Sequence, residues 1–342
     1  MEDDADATPL WPYENGLQAF LERLQGNAPL PEGAEPVEPG AFDTVLGALG
    51  YLVGNVLEAF YNLVYALTHP GLWLDWTNSE AVMRFIYYGA SEELFFVLFT
   101  LLAVLTIAVG LSNRFGWGLV RGSEFVLNWT GRIAAWAGFL MVIQQVLIVF
   151  LQRIFRVSEI SIGPFGTTFT RDLSWYSEEL KLYNAIIVCL CVAWTFIQGG
   201  HVRVDLVYSA VRHRTKRIID MFGALVFMMP ALILIWLYSW FFLWRSLITP
   251  ATSASDPLDR MLLKARAMRW NVETIGFSPN GFDAYFLFKI LILLFVATAF
   301  AQACVFFWRS WLEAREGELS AGRYLDRDRL GDADAERVAE IH

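Results

Sequence analysis

Residues able to ligate a metal, hold a haem or relay a proton are few and scattered in this chain. The four histidines, His69, His201, His213 and His342, form no pair at ligand spacing on an expected helix. Haem or di-iron binding in a membrane bundle draws on several inward-facing histidines or acids. Cys189 and Cys191 form a C-x-C pair that only weakly resembles zinc spacing, and no second Cys/His pair completes it. With Cys304 they read as small apolar residues on buried helices. No P-loop, HExxH or nucleophile-elbow motif occurs. These patterns point away from an enzyme: no catalytic residue, metal site or cofactor is expected.

The remaining charged and polar residues sit where a membrane would make them matter. Lys289 lies near the start of an apolar run, where an intramembrane cation is a functional candidate but a snorkelling side chain or an interhelical salt bridge also fits. Gln144, Gln145, Asn184, Thr195, Thr298 and Gln302 fall inside apolar runs and read as bridges between helices. Ser91-Glu92-Glu93-Leu94 and Ser177-Glu178-Glu179-Leu180 each place a Ser cap and two acids at an expected helix start, complementing free amides and the helix dipole. Gly199-Gly200-His201-Val202-Arg203-Val204-Asp205-Leu206 leaves an apolar run through two glycines and continues as a basic amphipathic stretch. Arg203, Arg212, Arg214, Lys216 and Arg217 stand there against a single acid, Asp205. By composition alone this is an arm helix on a phospholipid surface.

The elements that must position these residues are hydrophobic helices. Of 342 residues, 56% are hydrophobic and 18% charged, with 14 Trp and 27 Phe. A soluble domain carries about 25% charged residues, so this much apolar surface calls for a bilayer. A span needs about 20 apolar residues. Runs at 133–151, 182–198, 221–244 and 284–308 satisfy this as a core, and a fifth lies at 91–111. A sixth, 44–67, has the length of a span, yet its Asn55, Glu58, Asn62 and three glycines also suit an interfacial helix. Pro230 is expected to kink the third core span. Trp236, Trp240 and Trp244 recur every four residues as a packing or interface stripe. The expected fold class is an all-α integral membrane bundle of about six transmembrane helices: a four-helix core, one or two extra N-terminal helices, and the amphipathic arm.

The expected organisation is an acidic, Pro-rich tail at 1–40, an N-terminal extension at 41–124, a membrane domain at 125–312 and a charged tail at 313–342. The opening MEDDADATPL lacks the basic start of a secretory signal, so no cleaved signal is expected. The net charge of -9 offers no footprint for nucleic acid. Arginine and lysine at Ser112–Arg132 and Gly199–Arg217, with Arg309 and Arg315 after the last run, place those regions on the cytoplasmic side together with the C-terminus. The opposing stretches are not free of cations, but their charge is balanced.

The order of these features resembles the small permease subunit of TRAP transporters, the DctQ family. The features are the paired acids Glu178 and Glu179, the exit motif Gly200, His201, Val202, Val204, Asp205 and Leu206, the basic arm, and then Pro279, Gly281 and Lys289 ahead of the last run. The likeness covers roughly 125–312. It implies a multi-pass protein of the bacterial inner membrane with two partners, a large DctM-like membrane subunit and a DctP-like periplasmic solute-binding protein. It also implies scaffolding of the large subunit and help in docking the binding protein, for sodium-coupled uptake of organic acids. Glu178, Glu179, Gly200, His201, Val202, Asp205 and Lys289 would then belong to the family motif and subunit interface. The long front extension and the charged tail depart from the family pattern. A membrane anchor of a redox complex is the alternative, motivated by the tryptophans and His201.

Overall fold

The computed structural model describes residues 41–162, 169–198, 211–271 and 281–325. Most of them are helical, and they divide into two units: Ile248–Asn271 joins the described residues up to Leu105, and the remainder, from Thr106 onward, forms the second.

In the first unit, α1 (Ala41–Thr68) leads through a 3-10 turn at Pro70–Leu72 to α2 (Ser79–Tyr88). Asn78 starts α2 because its side-chain oxygen accepts the free Glu80 N–H. One face of α2 buries Ala81, Val82, Met83 and Ile86. Against it packs α9 (Leu258–Ala265), which buries Leu258, Met261 and Ala265. Full burial of a side chain such as Met83, Ile86 or Met261 contributes about 1.5–3 kcal/mol. The short strands β3 (Ile248–Thr249) and β4 (Arg269–Trp270) close the ends of this segment in antiparallel register, Ile248 opposite Trp270. The helix α3 (Glu92–Leu111) starts in this unit, with the Ser91 hydroxyl accepting the Leu94 N–H at 3.2 Å, as the Ser cap predicts. Asn62 on α1 donates to Glu93 on α3 at 3.1 Å.

The second unit is built on α4 (Asn113–Val149), 37 residues and about 55 Å long at 1.5 Å per residue. A π turn at Phe150–Ile154 ends it. The Ser112 hydroxyl accepts the Phe115 N–H at its start. The cationic stretch Ser112–Arg132, expected between two apolar runs, is helical from Asn113, and its buried Gly116, Trp117, Val120, Glu124, Leu127 and Asn128 pack within the unit. A hairpin, β1 (Glu159–Ile162) with β2 (Phe169–Asp172), precedes α5 (Leu173–Leu190) and α6 (Val192–Gln198). The chain then forms α7 (His213–Phe222), a π turn at Gly223–Met228 and α8 (Met229–Leu247). The π turn ends two residues before Pro230, which has no N–H for the regular ladder. Last comes α10 (Phe286–Glu316). It packs on α4, α5, α7 and α8 and is the most buried helix of the unit.

Close approach of α4 to α5 and α6 depends on glycine. A Cβ on Gly131 would stand 2.5 Å from the Trp194 Cβ, and one on Gly138 would stand 3.3 Å from Ile187. The Cys191 thiol donates to the Gly131 carbonyl at 3.3 Å, at the break between α5 and α6.

Among the described residues, four helical stretches are long and apolar enough to cross a membrane: Glu92–Leu111, Asn113–Ile154, His213–Leu247 and Phe286–Glu316. The other two expected spans differ from these. The 182–198 run is divided at Cys191 into the end of α5 and the seven-residue α6, and the 44–67 run keeps Asn55, Glu58 and Asn62 within α1. The basic arm is also read differently where it is described. Arg214, Lys216 and Arg217 form the first turns of α7 and run on without interruption into a spanning helix, because no helix breaker separates them from Phe222. The rest of the expected arm, including Gly200, His201, Val202, Arg203 and Asp205, lies outside the described residues.

Candidate functional site

The second unit holds two polar clusters at opposite ends of α10. At its start, the paired acids of α5 reach in different directions. Glu179 accepts the Gln144 amide of α4 at 3.1 Å, and the same Gln144 nitrogen donates to the Tyr176 carbonyl at 3.0 Å. Glu178 accepts the Phe282 backbone N–H at 2.9 Å, in the turn that leads into α10. Trp175 donates its indole N–H to Asp283 at 3.2 Å, while Arg171 stands 3.6 Å from the same carboxylate. One turn of α5 thereby holds two other segments, α4 and the turn at Phe282 and Asp283. The helix-start reading of Ser177 does not hold: α5 begins at Leu173, and Ser177 lies inside it with its hydroxyl donating to the Leu173 carbonyl at 3.1 Å. Lys289, half-buried on the first turn of α10, has its ammonium 4.5 Å from the centre of the Phe242 ring on α8, a cation–π contact between two helices.

At the far end of α10, charges are buried rather than solvated. Arg309 makes a two-point contact with Glu124, Nε to Oε1 at 2.7 Å and Nη2 to Oε2 at 2.6 Å. Its Nη1 donates to the Arg323 carbonyl at 2.9 Å and lies 3.5 Å from Glu313. Glu313 in turn pairs with Arg217 of α7 at 2.6 Å, and Arg217 donates to Asp220 at 3.1 Å. Glu124, Arg309 and Glu313 are all buried, so each charge relies on its partner. Beside them, Glu316 accepts from both the Asn113 amide at 2.9 Å and the Trp117 indole at 3.0 Å. This chain of contacts ties α4, α7 and α10 together.

Among the sequence-selected residues, Glu178, Glu179, Lys289 and Arg217 therefore hold helices to one another, whereas Arg212 and Arg214 are exposed at the start of α7. Lys289 stands over the Phe242 ring of α8. The Glu124–Arg309–Glu313–Arg217 network is absent from the sequence reading, which takes Arg309 only as a topology marker. Its one local signal is the i, i+4 spacing of Arg309 and Glu313 beyond the end of the last apolar run. Among the described residues, no group of three His, Cys, Asp or Glu side chains could hold a metal ion.

These features define a mostly helical membrane protein whose polar side chains pin helix ends. Within that class, residues 164–263 match the family described as "Tripartite ATP-independent periplasmic transporters, DctQ component". The match agrees with the family read from the motif order. It contains Glu178, Glu179 and the Gly200–Leu206 exit motif and stops short of Pro279, Gly281 and Lys289. No curated protein and no solved structure matches the chain.

Proposed function

We propose that this chain is the small membrane subunit of a TRAP-type secondary transporter. It scaffolds a large transport subunit in the bacterial inner membrane and helps dock a periplasmic solute-binding protein, with sodium-coupled uptake of organic acids as the activity of the whole assembly. The observation that carries this reading is the DctQ match over 164–263. The polar contacts described above support it, because they link helix to helix within the chain as a scaffold requires. In this reading Glu178, Glu179, Gly200, His201, Val202, Asp205 and Lys289 shape the surface that meets the large subunit. Arg203, Arg212, Arg214, Lys216 and Arg217 hold the adjoining segment at the phospholipid surface, and the C-terminus is cytoplasmic. The described residues 41–124 add a membrane extension ahead of that region. No observation favours the redox-anchor alternative.

The deciding experiment is affinity purification of the tagged full chain from its native membrane in mild detergent. A large multi-span membrane protein at equal stoichiometry is the expected companion. Recovery of the chain with no membrane partner, under conditions that preserve other transporter complexes, would overturn the proposal.

A further inference from the structure

Within the first unit, a cavity of about 240 Å³ lies between α1 and the first turns of α3. Ala59, Leu63, Ala66 and Leu67 line it from α1, and Leu94 and Val97 from α3. Two polar side chains, Asn62 and Glu93, belong to the same walls, but they are bonded to each other, the Asn62 amide donating to Glu93 Oε1 at 3.1 Å. The surface that faces the space is hydrocarbon and aromatic ring. Such a cavity offers water no hydrogen bonds and stays dry. Left empty, its lining would forfeit dispersion contacts on one side.

The gap belongs to the way these helices are held. Among the described residues, α1 and α3 do not pack closely on one another. The Asn62–Glu93 bond joins them, and the cavity occupies the gap beside it. Trp73 borders the cavity and is fixed there. Its indole N–H donates to the Ala66 carbonyl at 2.9 Å, in the last turn of α1 where carbonyls have no partner within the helix. Its ring stacks on Phe85 with 6.1 Å between centres.

Length and surroundings name the occupant. From Ala59 to Leu67 the lining runs about 12 Å along α1 at 1.5 Å per residue, longer than a single apolar side chain. Leu63 and Leu67 are themselves exposed, and α3 continues past the cavity with Leu98 and Leu101 exposed, in a helix long and apolar enough to cross a membrane. The cavity is thus open to the medium around α3, and in a bilayer that medium is acyl chain.

We propose that this cavity holds one acyl chain of a membrane phospholipid, which supplies the packing between α1 and α3 that their own side chains leave undone. The site needs only the bilayer and stands apart from the subunit role proposed above.

The test uses the purified full chain in detergent, washed free of loosely held lipid and measured by native mass spectrometry and thermal melting. Long-chain lysophosphatidylcholine and long-chain lysophosphatidylglycerol are each expected to give one retained lipid per chain and a higher melting temperature, because the site reads the chain and not the headgroup. A short-chain lysophosphatidylcholine should be retained about tenfold less or worse, since it buries fewer methylenes. Ala66→Phe and, separately, Val97→Phe fill the cavity from its two walls, and each should abolish retention. Val104→Phe, at an exposed position of α3 outside the cavity, should keep it. Undiminished retention in folded Ala66→Phe and Val97→Phe protein would overturn the proposal, as would equal retention of long and short chains. So would a chain that holds no lipid in its native membrane complex and takes one up only when stripped of a protein partner, which would give the cavity to that partner's side chains.

Discussion

Arg309 and Glu124 stand 185 positions apart in the chain and meet through two short charge-assisted hydrogen bonds, at 2.7 and 2.6 Å, with both side chains almost wholly removed from solvent. The arginine's planar fork matches the two carboxylate oxygens, a geometry that a lysine does not reproduce. This contact locks the start of α4 to the end of α10. Through Glu313 it extends to Arg217 on α7.

Removing one member of this pair should be far more damaging than removing both. Glu124→Gln or Arg309→Met leaves a buried charge uncompensated, at a cost of about 3–5 kcal/mol. The double substitution Glu124→Leu with Arg309→Met should recover much of the loss. Thermal melting of the four proteins in one detergent measures this, and additive single losses would contradict the pairing.

Gly131→Ala should weaken the packing of α4 on α5 and α6, because the new methyl group meets the Trp194 Cβ at 2.5 Å, too close for either helix to remain in place. Gly118→Ala, which meets nothing, should be neutral or slightly stabilising, by roughly 0.5–1 kcal/mol. Tryptophan fluorescence during chemical unfolding distinguishes the two. Equal behaviour of the variants would mean that the helices do not approach as closely as described.

The paired acids should separate by function. Glu179→Ala removes one of the two acceptors of the Gln144 amide, and Glu178→Ala removes the acceptor of the Phe282 N–H in the turn before α10. Each should lower stability by about 1–3 kcal/mol, the worth of a hydrogen bond to a carboxylate. If these residues also face the large subunit as proposed, recovery of that subunit should fall further than the stability change explains. Co-purified partner per folded chain is the quantity to measure.

Asp205→Ala tests the exit motif. The expected result is reduced solute uptake with the protein still present in the membrane at its usual level. Uptake unchanged at equal expression would leave the segment as a passive lipid-surface element.

Acid should loosen the segment between α8 and β4 in the first unit. Asp256 is buried, which by itself opposes its ionisation. The Lys264 ammonium and the Ser253 N–H that donate to it, with the charges of Lys264 and Arg260, outweigh that and hold its carboxyl below the ordinary 3.8. A carboxyl with a lowered folded-state value stabilises the fold above its unfolded value and loses that contribution as pH falls through the folded one. Hydrogen-exchange protection at Ser253 and across α9, taken relative to the intrinsic amide rate at each pH, should therefore hold at neutral pH and fall as pH drops below about 4. The same loss of protection in Asp256→Asn at neutral pH would confirm the cause, and protection unchanged down to pH 3 would rule it out.

Local features were legible in the chain itself. Hydrophobic run length marks α3, α4, α8 and α10 as helices suited to a bilayer, since backbone groups in hydrocarbon must bond within their own helix. Ser91 announces the start of α3. The order of the Glu178-Glu179 pair and the Gly-His-Val exit motif carries the family likeness, later matched over 164–263. What the sequence could not supply is pairing over distance. Ser177 resembles a cap until β2 and Leu173 move the helix start forward by a turn. Arg309 resembles a topology marker until α4 brings Glu124 to it, and Gly131 is unremarkable until Trp194 lies against it. A buried ion pair or a close glycine contact depends on the approach of two helices that are remote in the chain. That approach is set by the packing of all of them together, so the sequence by itself determined the helices and their membrane character, and only the tertiary structure decided which charges became partners.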